Sequence, residues 1–440
     1  MLIQRVIKTL YNFYKNLLDK DFKEIVDKGF NFLLLRVLGI IAGYIFTYII
    51  AHEYGAEVNG LVSLSFTLLM CLSIFGRLGI DMNLIPFFSL EENSFDSGIF
   101  LKVLFKAIIF SSLISITLFG FKNLICVDLF GKPQLIPYIF WVCLTIPFWS
   151  VVLICAGFFR SIKKNNLFAF FNNPGRFLFS LVIFILLIYQ SNDSLNAIRA
   201  HFFGVLFLAV YSFYLVMREF ENIRFKTNSN SWIFIKDAIP MMFSGAIIVF
   251  LGWSDTLVLG IYASDETIGV YNVALKIAMI TSFSLQAINS ILAPKIATYY
   301  KLNEKNKFEN LIRFSTKLNF IITTVIVIVI LIFHRFILGT FGDAFVSGSL
   351  VLIILCIGQV VNSFSGSVGI ILQMTGYQKK YQNIVFIALI INLVLNFLLT
   401  PVYGALGAAI STVISIAFWN LAGAFYLKKK LKIKSYFSFH

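Results

Sequence analysis

Stretches of about twenty residues with few charges recur along almost the whole chain, each long enough to cross the hydrocarbon core of a bilayer. Twelve are read: 30–51, 59–80, 99–121, 136–158, 167–189, 197–217, 238–262, 267–292, 314–333, 347–371, 382–400 and 404–427. They are continuous rather than alternating, so they spell helices and not the strands of a barrel. Only 13% of the 440 residues are charged, about half the share of a soluble domain. The expected fold is an all-α polytopic membrane protein.

The formal net charge is +15, and its placement decides what it means. Basic residues crowd alternate connections, among them Arg160, Lys163, Lys164, Arg224, Lys226, Lys236, Lys301 and Lys305, and the end of the chain, Lys428 to Lys434. The other side offers little beyond Lys122, Lys132, Arg199 and Arg335. By the positive-inside rule both termini are expected in the cytoplasm, so the charge orients the chain and calls for no nucleic acid partner. The connection with Asp81, Glu91, Glu92 and Asp96 is acidic, but acidic residues weigh little in that rule.

No cleavable signal opens the chain. Leu2, Ile3, Val6, Ile7, Leu10, Phe13, Tyr14, Leu17 and Leu18 follow helical spacing beside Arg5, Lys8 and Lys15. Residues 1–29 therefore read as an amphipathic segment on the cytoplasmic leaflet or, equally, as a basic tail without fixed structure. The five cysteines sit in or beside apolar spans without metal-ligand spacing, and the four histidines are scattered. Nothing looks catalytic, and neither cofactor nor metal is expected.

"EVNGLVSLSFTLL" from Glu57 can be laid over "ETIGVYNVALKIA" from Glu266, so that Glu57 matches Glu266 and Gly60 matches Gly269 at one offset. Pro86 and Pro294 fall at nearly corresponding places. Each unit holds six spans, an even number, so the halves share one orientation, as in transporters built from parallel repeats. The expected organisation is a six-helix lobe over 30–217, a cytoplasmic linker over 218–237, a second lobe over 238–427 and a basic cytoplasmic tail over 428–440, with a central cavity between the lobes.

Polar side chains inside such spans face protein or water, because lipid cannot satisfy them. The eighth span lines up Asn272, Lys276, Met279, Phe283, Gln286 and Ser290; the second lines up Ser63, Thr67, Met70, Ile74, Arg77 and Asp81. The first gives Arg36, Gly39, Gly43 and Thr47, and the tenth gives Gln359, Asn362, Gly366, Gly369 and Gln373. Four such stripes imply a hydrated cleft, although the glycines also suit close helix packing. Lys276 is the pressing case, since a charge in mid-membrane costs about 2.5–3.5 kcal/mol. Asp255 lies ten residues before the turn that precedes Lys276 by ten, so the two share a depth. They form either a structural ion pair or a breakable one, in which Lys276 takes an anion and Asp255 a proton or sodium ion. Arg77 and Asp81 are spaced for a local bridge; Arg36 can snorkel or line the cleft; Arg176 after "NNPG" can anchor at the headgroups or line it. Asn392 and Asn396 are spaced to bond between helices. The uncommitted charge is cationic, which favours an anionic, phosphorylated amphiphile.

The stretch "DAIPMMFSGAIIVFLGWSDTLVLGIYASDETIGVYNVALKIA" resembles the start of the C-terminal half of the polysaccharide flippases of the MOP superfamily. So does "MTGYQKKYQNIVFIALIINLVLNFLLTPVYGALGAAISTVIS", and "YGAEVNGLVSLSFTLLMCLSIFGRLGID" resembles the first-half counterpart. The resemblance runs over roughly residues 30 to 427. It implies two six-helix lobes and carriage of an oligosaccharide on a polyprenyl diphosphate across the bacterial inner membrane, for O-antigen, lipopolysaccharide, capsule or related polymers. Polysaccharide assembly proteins are then possible partners beside membrane lipids. Basic cavity residues in that family handle the diphosphate or an anionic sugar, and the matching positions are Arg36, Arg77 and Lys276. Where many relatives carry a basic residue after the "LGID"-like turn, this chain has "MNLIPFF". The alternatives are a multidrug antiporter of the same superfamily, which calls for an acidic cleft, and a polysaccharide polymerase, which calls for a large external loop.

Overall fold

The computed structural model describes residues 20–89, 96–172, 174–227 and 229–437, with the side chains of 20–33, Arg36 and Ile291 left aside. Most of the N-terminal segment 1–29, together with Glu91 and Glu92, lies outside those residues. The described chain is helical throughout and holds no strand. In order, the helices are α1 (Lys20–Arg77), α2 (Ile80–Phe88), α3 (Ser97–Gly120), α4 (Ile136–Ser161), α5 (Asn165–Asn172), α6 (Pro174–Gln190) and α7 (Asn196–Met217). The second half continues with α8 (Ser231–Tyr262), α9 (Asp265–Met279), α10 (Ser282–Lys301), α11 (Lys305–Gly339), α12 (Ser349–Ser365), α13 (Val368–Met374), α14 (Gln378–Tyr403) and α15 (Ala405–Leu431). Among the described residues nine helices are long and apolar enough to cross a membrane, or up to eleven if two bent pairs, α5–α6 and α9–α10, are single spans.

One of the nine, Val37–Arg77, is 41 residues long, about 60 Å of helix and twice a bilayer core. It is broken at Gly55, whose φ of 80° belongs to the left-handed region that only glycine enters freely. Two legs result, 20–54 and 56–77. The break stands where the sequence has a polar interval between its first two apolar stretches.

Helices α3, α4 and α6 pack on α1, with α7 against α4 and α6, and α11, α12, α14 and α15 pack around α8 and α9. The halves meet along two seams. Along one, α9 runs beside the first leg; along the other, α8 runs beside the second leg and α2. At the Gly55 end the seams converge on a reciprocal contact. A Cβ on Gly60 would collide with the Asp265 carbonyl, and a Cβ on Gly269 with the Ala56 carbonyl. The offset that carries Gly60 to Gly269 also carries Ala56 to Asp265, so the matched positions touch each other as the two sides of a two-fold contact do.

The same end carries a polar clasp. Lys132, after a π-turn at Leu124–Leu129, reaches Asp265 Oδ1 at 2.9 Å and donates to the Ala263 carbonyl at 2.7 Å. Gln134 donates to Asp265 Oδ2 at 2.6 Å. At the opposite end, which holds the linker, Asn83 donates to the Phe234 carbonyl at 3.0 Å and Lys106 to Ser231 at 2.8 Å. Ile74, Met242 and Ala246 form a small apolar cluster there. The final segment is packed rather than free: Ile433 and Ser435 are buried, Thr316 donates to the Ser435 carbonyl, and the Phe437 ring lies 4.6 Å from Phe320.

Candidate functional site

Lys276 sits on α9 against the first leg of α1. The Tyr44 hydroxyl donates to the Lys276 carbonyl, and the ammonium donates to Thr47 Oγ1 at 2.5 Å. Thr47 in turn donates to the Gly43 carbonyl at 3.0 Å, so its oxygen is free to accept. That hydroxyl is neutral, and no carboxylate pairs with the lysine among the described residues. The side chain is half-buried, held between the halves of the molecule.

The expected Asp255–Lys276 pair is not formed, and helix geometry gives the reason. Tyr271, one helical face away, donates to Asp255 Oδ2 at 2.7 Å. Lys276 follows Tyr271 by five residues, which turns it about 140° from that face. A common depth along two helices does not fix azimuth. Asp255 looks instead into the second half, 5% exposed, where Asn396 donates at 2.7 Å, Asn392 at 3.2 Å and Thr412 also donates. Ser254 donates to Asn392 Oδ1 at 2.5 Å, which fixes which atom of that amide faces the carboxylate. The spacing of Asn392 and Asn396 made this interhelical bonding legible; Tyr271 and Thr412 carried no signal, as hydroxyls are common along these helices.

The other expected site residues scatter. Arg77 and Asp81 bridge locally at 2.6 Å, with Arg77 Nε also donating to the Ser73 carbonyl at 3.3 Å, so that charge is neutralised. Asn272 is buried; it accepts from Thr256 at 3.3 Å and donates to the Ile268 carbonyl at 2.9 Å, and so packs α9 on α8 rather than lining a cleft. The stripe on the eighth stretch is interrupted, because α9 and α10 meet at a 45° bend. Gln286 lies beyond it, half-buried and bonded to Ser282 at 3.2 Å. Gln359 is half-buried, and Asn362 accepts from Asn420 at 3.0 Å, joining α12 to α15. The Arg36 side chain lies outside the described residues. Gly39 and Gly43 serve packing: a Cβ there would meet Pro174 and the Phe177 ring.

Arg176 opens α6, 8% exposed, with its guanidinium 4.3 Å from the Phe177 ring centroid. Phe177 is therefore the partition between Arg176 and the Gly43–Thr47 turn that holds Lys276. The site is thus one half-buried and one buried cation without an anionic partner among the described residues, and one carboxylate ringed by neutral donors in the other half.

Comparison with known proteins gives matches to this architecture and its halves. The family model described as "Polysaccharide biosynthesis protein" matches residues 25–300, and the model described as MatE matches 240–398. A stretch of 190 residues, 43% of this chain, is 30% identical to a protein of Haloferax volcanii named as a probable low-salt glycan biosynthesis flippase, Agl15, and covers 40% of it. A stretch covering 58% of the chain is 28% identical to the capsular polysaccharide biosynthesis protein CapF of Staphylococcus aureus and covers 65% of it. The chain thus spans less than two thirds of the length of either relative. Among solved structures, the lipid II flippase MurJ in an inward closed conformation superposes with a TM-score of 0.76 over 92% of this chain and 87% of that one, at 14% identity. An inward-facing multidrug MATE transporter of the MOP superfamily superposes with a TM-score of 0.67 over 91% of this chain and 98% of that one, also at 14% identity.

Proposed function

Because this chain belongs to the polysaccharide biosynthesis protein family, among the polysaccharide flippases of the MOP superfamily, we propose that it carries an oligosaccharide on a polyprenyl diphosphate from the inner to the outer leaflet. The observation that carries this reading is Lys276: an ammonium in the seam between the halves, tied to one neutral hydroxyl and with no carboxylate beside it among the described residues. A lipid-buried charge without an anion is costly, and a diphosphate is an anion that such a site accepts. Basic connections at the linker end support a cytoplasmic position for that end and for both termini, and an external position for the Gly55 end. We take 30–217 and 238–427 as the two lobes that rock about the seams, in the cell's cytoplasmic membrane, with cargo for surface polymers of the O-antigen or capsule kind.

Asp255 fits a coupling role, taking a proton or a sodium ion. It is a buried carboxylate with neutral donors and no cation beside it among the described residues. The multidrug reading is favoured by the MatE match over 240–398. It needs an anionic cleft for cationic drugs, and the unpaired charge in the seam is positive.

The test is complementation of a strain lacking its own copy. Lys276→Met is expected to insert normally and to reduce surface polysaccharide at least about tenfold, the effect of one lost charge-assisted contact, while the lipid-linked unit accumulates inside. Asp255→Asn is expected to leave that unit bound but to make export insensitive to an imposed proton or sodium gradient. Normal surface polymer from Lys276→Met, or drug resistance that tracks Asp255, would sink the reading.

A further inference from the structure

Behind Phe177, inside the first half of the molecule, three nitrogen-bearing side chains from three helices gather about the Phe66 ring and the Arg176 guanidinium, with no oxygen acceptor among the described residues. Arg176 on α6 holds its guanidinium 5.3 Å from the Trp149 ring centroid and 5.4 Å from that of Phe66. Its one hydrogen bond among the described residues goes to Met70 Sδ, a weak acceptor, at 3.7 Å. His201 on α7 is fully buried with its ring centroid 4.5 Å from that of Phe66, and neither ring nitrogen has a partner among the described residues. Trp149 on α4 is 3% exposed, and its Nε1 has no partner among them either.

Each group alone has a plain account. A guanidinium stacks on rings, and a histidine or tryptophan packs as an apolar body. Their convergence does not, because buried polar groups are nearly always satisfied and an uncompensated buried charge is strongly destabilising. What they offer jointly is donors: the guanidinium fork, the indole N–H and one imidazole N–H. The complement is a single group with negative charge and several acceptor oxygens. A neutral water would meet the donors and leave the charge.

We propose that Arg176, His201 and Trp149 form an anion site within the first lobe that takes one phosphoryl-class group, bidentate on Arg176. This goes beyond the transport reading and does not depend on it. The site is separated from Lys276 by the Phe177 ring, and either a free inorganic phosphate or the phosphate of a lipid could fill it.

The experiment uses the purified full chain in detergent, in phosphate-free buffer at constant ionic strength. Inorganic phosphate, inorganic diphosphate and sugar-free polyprenyl diphosphate are titrated in turn, and Tm and tryptophan fluorescence are read. The wild type is expected to gain Tm with at least one of them. A response to the free anions identifies an inorganic occupant, and a response to the polyprenyl compound alone that persists in Lys276→Gln identifies a lipid phosphate. Arg176→Met is expected to unfold at a higher temperature than wild type without anion, having no unpaired charge to bury, and to lose the response when read in the Lys276→Gln background. His201→Phe is expected to weaken the apparent affinity about tenfold. Lys276→Gln keeps the response even as transport fails, which separates this site from the transport reading. The site is overturned if none of the three compounds raises Tm, if Arg176→Met responds like wild type, or if His201→Phe binds unchanged. Should Arg176→Met not fold, Arg176→Lys replaces it: charge without the fork must respond more weakly, and an equal response overturns the site.

Discussion

Gly60 and Gly269 bring the backbones of the second leg and α9 so close that each stands against the other's chain. No side chain fits there, because the colliding atoms are backbone carbonyls that cannot swing aside. Gly60→Val and Gly269→Val are therefore expected to lower stability by about 1–3 kcal/mol or more through overpacking, read as a drop in Tm of the purified protein. Gly43→Ala meets only the Phe177 ring, at 3.2 Å, and should cost less. A Gly60→Val protein as stable as wild type would show that the halves do not meet as described. The matching of these two glycines was legible in the sequence, but their mutual contact was not, since a repeat gives correspondence and not position. Lys276 shows the same limit from the other side. Its burden was legible from composition alone, but its partners Tyr44 and Thr47 come from a helix more than two hundred positions away.

Among the helices, the turn between α8 and α9 is the boundary the sequence marks well, because "ASDET" supplies an N-cap: Ser264 accepts from the Thr267 N–H at 3.2 Å. The bend between α9 and α10 was not legible, since "MITS" contains neither glycine nor proline. The start of α9 is also where Lys132 arrives from the other half. Lys132 and Asp265 have side chains only 7% and 5% exposed, so breaking the pair leaves a charge stranded. Lys132→Met should cost about 3–5 kcal/mol, and adding Asp265→Asn should recover most of it, since removing both charges of a buried pair is far cheaper than removing one. Thermal unfolding of the four proteins of that cycle measures the coupling. Additive losses would mean that the clasp carries no interaction of its own.

For the molecule as a whole, the present arrangement is joined at both ends: by the glycine contact and the Lys132 clasp at one, and by Asn83, Phe234 and the Ile74 cluster at the other. Alternating access requires these ends to part in turn. Asn83→Cys combined with Phe234→Cys joins two positions already in hydrogen-bonding contact, and the five native cysteines are buried. Oxidation is expected to stop transport in membrane vesicles and reductant to restore it; unimpaired transport by the cross-linked protein would exclude parting at that end. The packed final segment bears on how all these variants are to be handled. Phe437 donates its N–H to the Phe364 carbonyl at 2.8 Å. An affinity handle or fluorescent reporter placed close to Phe437 would tug on that anchorage, so labels belong away from it or on a long flexible spacer.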